Sequence, residues 1–137
     1  MISWIFLIKP WLRKTIGAVY LLAIALLSLW PANSLPHVPF FSGADKLVHI
    51  CMYLGLSTLV CWIYDIGHHR IWFIYSLLAA VFMYGVLMEI LQRTMQNGRS
   101  FDFKDMLANL IGAILGTLIY RYLDRKYGVG FSAVHAG

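Results

Sequence analysis

The chain holds only six acidic residues among 137, and four of them fall in or beside strongly apolar runs. Asp45-Lys46-Leu-Val-His49 opens one run, and Glu89-Ile-Leu-Gln92 closes another. Arg99-Ser100-Phe-Asp102-Phe-Lys-Asp105, followed by Asn109, opens a third. Carboxylates, an imidazole and cations in one place can bind a charged ligand or move a proton. His49 beside Glu89 or Asp105 has the makings of a general base oriented by a carboxylate, so these three are the candidate catalytic residues. A hard metal held by His49 and carboxylates is a chemical alternative that no ligand spacing demands, and neither a metal nor another cofactor is assigned.

Helical spacing sharpens the pattern. At 100° per residue Asp45 and His49 share a face, as do Glu89 and Gln92. Asp105, Asn109, Gly112 and Gly116 form one stripe, with Ala108 beside it. A stripe that mixes carboxylate, amide and glycine cannot face lipid, where a charge costs several kcal/mol, and must turn toward other helices.

The elements that position these residues follow from composition. The chain is 61% hydrophobic and 12% charged, against roughly half apolar and about a quarter charged in soluble domains. The surplus apolar surface must face lipid. Four apolar stretches, about 12–30, 46–64, 71–92 and 104–122, approach the roughly 20 residues a bilayer core requires. They are long and lack period-two alternation, which favours helices over barrel strands. The expected fold is therefore all-α, one integral membrane bundle of four transmembrane helices over 1–137, with a flexible tail at 128–137.

The net charge of +5 does not indicate nucleic acid, because the basic residues flank apolar runs and form no polar stripe. They set orientation instead. With four spans, the termini and the middle loop share a side carrying Lys9, Arg13, Lys14, Arg70, Arg121, Arg125 and Lys126, seven in all. Lys46, Arg93, Arg99 and Lys104 make four on the other side. Both termini are thus expected in the cytoplasm of a plasma-membrane protein, with the polar residues on the outer face. A signal-peptide reading of the first stretch is weaker, because apolar Ile2–Ile8 precedes its basic residues and Trp30-Pro31 abuts Ala32-Asn33-Ser34, the small-residue stretch a cleavage site would need. Pro31, Pro36 and Pro39 stiffen the first loop, and Asn97-Gly98 marks a turn in the third. Cys51 and Cys61 lie ten residues apart on one helix, about 15 Å, too far for a disulfide.

Structural roles compete for several of these residues. Ser42-Gly-Ala-Asp45 has the form of a capping box, and Asp102 with Asp105 repeats it. Ala108, Gly112 and Gly116 suit close helix packing. His49, Glu89, Gln92 and Asp105 cap nothing evident.

The three polar segments together resemble the VanZ-like family of small bacterial membrane proteins. The matching residues are Asp45, Lys46, His49, Tyr53 and Gly55, then Glu89 and Gln92, then Arg99, Ser100, Asp102, Asp105, Asn109, Gly112 and Gly116. The likeness covers about residues 31–122. It implies a cell-envelope role, the family being named for a protein that lowers susceptibility to teicoplanin, a glycopeptide antibiotic.

The expected function is binding of a polar envelope ligand, a lipid head group or cell-wall precursor, among membrane lipids as partners. Asp45, Lys46, His49, Glu89, Gln92, Arg99, Ser100, Asp102, Asp105 and Asn109 form the binding set, with Lys46 and Arg99 meeting an anion at the rim. A membrane-embedded enzyme and a purely structural polar network are the alternatives. The basic count gives a direct test of orientation. A reporter fused after Gly137 should be active in the cytoplasm, and a cysteine at Gly98 should react with an impermeant thiol reagent in intact cells. Labelling only after permeabilisation would reverse the topology.

Overall fold

The computed structural model describes residues 8–30, 43–66, 70–95 and 102–127, which form four α-helices and, among the described residues, no strand. These are α1 (Pro10–Leu29), α2 (Ala44–Tyr64), α3 (Ile71–Thr94) and α4 (Phe103–Tyr127). Each contains an apolar window with mean hydropathy between 1.4 and 2.1 and is long enough to cross a bilayer. Arg99, Ser100, the proline-bearing first loop over 31–42, the Asn97-Gly98 turn and the tail over 128–137 lie outside the described residues.

Local chemistry sets the helix ends. Pro10 occupies the first turn of α1, where a missing N–H is no loss. Helix α2 starts after Gly43, whose φ of +98° suits a residue without a Cβ. Ser42, where the sequence suggests a capping box, lies outside the described residues; Gly43 occupies the position before the helix, and Asp45 sits in the first turn. Asp102 does cap α4, its carboxylate accepting the Lys104 backbone N–H at 2.8 Å. Helix α4 runs to Tyr127, five residues past the expected 122. The Lys126 ammonium lies over the Tyr122 and Tyr127 rings, and Arg125 and Lys126 in the last turn complement the helix dipole.

The most extensive packing joins α2 to α4. A Cβ on Gly112 would strike the Ile50 carbonyl, and one on Gly116 the Leu54 carbonyl, so the two backbones touch where the sequence places glycine. Polar side chains reinforce this seam. Thr117 donates to the Ala113 carbonyl at 2.9 Å, which leaves Ser57 to donate to Thr117 at 2.8 Å. The Thr58 hydroxyl lies 2.8 Å from the Leu54 carbonyl and 3.2 Å from that of Gly116.

Helix α1 is held against α2 and α3 by long polar side chains reaching backbone carbonyls. Tyr20 donates to Met52, Tyr84 to Leu21, and Gln92 to Ser28. At the other end Arg13 is buried, donating to Ile8 and Trp62 carbonyls, with its guanidinium 5.1 Å from the Trp62 ring centroid. Val19, Leu22, Leu27, Met83 and Leu118 are more than half exposed, which is the lipid-facing surface that composition requires.

The glycine seam yields a stability prediction. Gly116→Leu should push α4 off α2 and lower stability in detergent by about 1–3 kcal/mol, as overpacking does. Leu118→Ala on the lipid face should stay within about 0.5 kcal/mol of wild type. Thermal unfolding followed by circular dichroism compares the two.

Candidate functional site

The N-terminal ends of α2 and α4 and the C-terminal end of α3 lie together, and the polar residues of all three meet there. His49 stands five residues into α2, Glu89 five residues before the end of α3, and Asn109 six residues into α4. At 1.5 Å per residue these positions lie about 8 Å inside the helix ends.

His49 is the centre of the cluster. It is nearly buried, and its Nδ1–H donates to Asn109 Oδ1 at 2.9 Å. An amide oxygen can only accept, so with the Asn109 amide in this orientation Nδ1 carries a proton. Nε2 then points toward Asp105 Oδ2 at 3.9 Å, beyond hydrogen-bond length. One ligand atom each from His49, Glu89 and Asp105 lies within 4.8 Å of the others. That spacing fits one bridging water or ion, so the three candidate catalytic residues do converge. The orienting partner of His49 is the Asn109 amide, whereas the sequence suggested a carboxylate.

Lys46 forms the rim. Its ammonium lies 2.8 Å from Asp45 and 3.4 Å from both Asp102 and Asp105. A cation shared among three carboxylates is already neutralised, which differs from the expected lysine awaiting an anion. Asp45 is the outermost member and the most exposed. Asp102, just outside α4, has its carboxyl held below the usual range by the Lys104 backbone N–H first, with Lys46 and Lys104 adding to the effect. A lowered carboxyl pKa means that its cap is intact at neutral pH and is lost as pH falls through that lowered value.

The remaining expected residues divide. Gln92 is buried, but its amide N–H is spent on the Ser28 carbonyl of α1, a tie between helices. Glu89 is wholly buried in the centre of the cluster. Arg99 and Ser100 lie outside the described residues.

Two further residues pack against the cluster. Tyr53, one turn beyond His49, is fully buried, and its hydroxyl has no hydrogen-bond partner among the described residues. The same holds for Asn109 Nδ2. A Cβ on Gly85 would lie 2.9 Å from Asn109 Nδ2 and 3.2 Å from the Tyr53 hydroxyl, so both groups reach the space this glycine leaves. Tyr53 is visible in sequence as the residue four after His49, on the same face. Gly85, four before Glu89, is an isolated glycine in a helix, the usual mark of close packing or a functional site.

The sequence profile of the VanZ/LLP1 family matches residues 4–124. Neither curated proteins nor solved structures contain a significant match to the chain. The geometry predicts one tautomer of His49. Nitrogen NMR of the labelled protein should show Nδ1 protonated and Nε2 bare, and Asn109→Ala should release the ring to a tautomer mixture. A wild-type ring protonated on Nε2 alone would contradict the Asn109 bond. Matched over nearly its whole length by that profile and built of four helices able to span a membrane, the chain belongs to the VanZ/LLP1 family.

Proposed function

We propose that this VanZ/LLP1 protein binds the phosphate-bearing head group of an envelope lipid or lipid-linked cell-wall precursor in the recess between α2, α3 and α4. The recess faces the outer side of the plasma membrane, with both termini in the cytoplasm, as the basic-residue count favours. The supporting observation is the pair of buried, unpartnered groups, the Tyr53 hydroxyl and Asn109 Nδ2. A network that served only to lock the bundle would satisfy its own members, since a buried unpaired polar group costs about 1–3 kcal/mol. Two donors held ready beside an imidazole suit an incoming oxygen ligand. The finer reading, an effect on teicoplanin susceptibility, rests on the family relationship alone.

A second reading, catalysis on the bound lipid, is favoured by one observation. With its proton on Nδ1, His49 presents Nε2 as the acceptor that a general base needs.

Tyr53→Phe removes only the hydroxyl and separates binding from structure. Under the binding reading, the variant melts at or above the wild-type temperature in detergent. It also loses, in native mass spectrometry, the preference for phosphatidylglycerol over a neutral diacylglycerol. A fall in melting temperature with lipid preference intact would favour the structural network. Lipid recovered with an altered mass would favour the enzyme.

A further inference from the structure

The recess has a charge problem that the head-group reading alone leaves open. Asp45, Glu89, Asp102 and Asp105 bring four carboxylates to this end of the bundle, and Lys46 is shared among three of them. Beside His49 itself a phosphate meets two carboxylates, Glu89 and Asp105. The arrangement of His49 supplies the remedy.

We propose that His49 Nε2, Glu89 and Asp105 together hold one first-row divalent cation of the zinc or manganese type, which in turn receives the head-group phosphate. This rests on the binding role proposed above and names the agent that makes an anion acceptable. The first argument is the tautomer. Ligating histidines characteristically donate their other ring N–H to an oxygen acceptor, and Nδ1–H to Asn109 Oδ1 at 2.9 Å is that second-shell bond. Nε2 then faces Asp105 Oδ2 at 3.9 Å, a pair made attractive by positive charge between them, either a proton on Nε2 or a cation. The second argument is spacing. Ligands about 2.0–2.1 Å from a tetrahedral ion stand about 3.3 Å apart, so a set within 4.8 Å closes with small side-chain rotations. One imidazole and two carboxylates are a borderline donor set, better suited to zinc or manganese than to calcium or magnesium.

The third argument is what surrounds the open side. Three protein ligands leave a coordination position free, as in sites that bind an exchangeable ligand and unlike closed structural ones. The Tyr53 hydroxyl and Asn109 Nδ2, both buried and without partners among the described residues, pack against Gly85 at the edge of the cluster. They are buried donors left over for an oxygen bound to the ion. Asn109 bonds His49 through Oδ1 and keeps Nδ2 as a free donor beside it.

The test uses the whole protein, purified in mild detergent and stripped with a chelator. Equilibrium dialysis against Mn²⁺ or Zn²⁺ alone, read by elemental analysis, should return about one ion per chain. Electron paramagnetic resonance of bound Mn²⁺ should show coupling to one imidazole nitrogen, lost in His49→Gln. Asn109→Ala, a positioning change, should weaken the ion by about 10- to 100-fold while the helical spectrum is unchanged. Retention below about a tenth of an ion per chain by folded wild-type protein overturns the proposal. So does bound Mn²⁺ without nitrogen coupling, a readout that does not depend on any variant folding. Phosphatidylglycerol preference that persists in stripped protein also overturns the cation and leaves the head-group reading standing. A bound ion without lipid preference does the reverse.

Discussion

The direct contact between α2 and α4 backbones is the constraint on which the rest depends. Gly112 and Gly116 bring α4 against the carbonyls of Ile50 and Leu54. One turn nearer the membrane surface, the same two helices carry His49 and Asn109 into hydrogen-bond range. A wider helix pair would place the imidazole and the amide out of reach of each other. Helix packing in lipid gains little from the hydrophobic effect, because lipid tails are as apolar as leucine. Close van der Waals contact and hydrogen bonds such as Ser57–Thr117 supply the association.

Against this rigid pair, α3 contributes fewer but more specific elements. Gly85 opens the space that Tyr53 and Asn109 reach, and Glu89 comes in from the far side. The site is therefore a product of three glycines as much as of its polar residues. Each glycine marks a place where a helix gives up side-chain volume to a neighbour.

Much of this was legible in the sequence. Long apolar runs specify four helices, and their alternating direction brings Asp45–His49, Glu89 and Asp105 to one end. The stripe from Asp105 to Gly116 pointed correctly to an interior face. What sequence could not supply was pairing at the level of atoms. Gln92 shares a face with Glu89 yet bonds to α1, because rotation about the helix axis decides which neighbour a borderline position meets. Lys46 carried the right charge for an anion, but three neighbouring carboxylates claim it.

The buried Arg13 carries a consequence for biogenesis. Its guanidinium rests on the Trp62 carbonyl and ring, and both arrive only when the end of α2 has been synthesised. Helix α1 must therefore enter the bilayer with this charge still in the interfacial water and settle after its neighbour appears. Helix α4 has the lowest mean hydropathy of the four and carries Asp105 and Asn109 in its first turns. Its polar stripe is sheltered by α2 and α3, both already in place when α4 emerges. The order of the genetic message thus matches the order in which polar groups find shelter, and the last helix inserts onto a prepared surface.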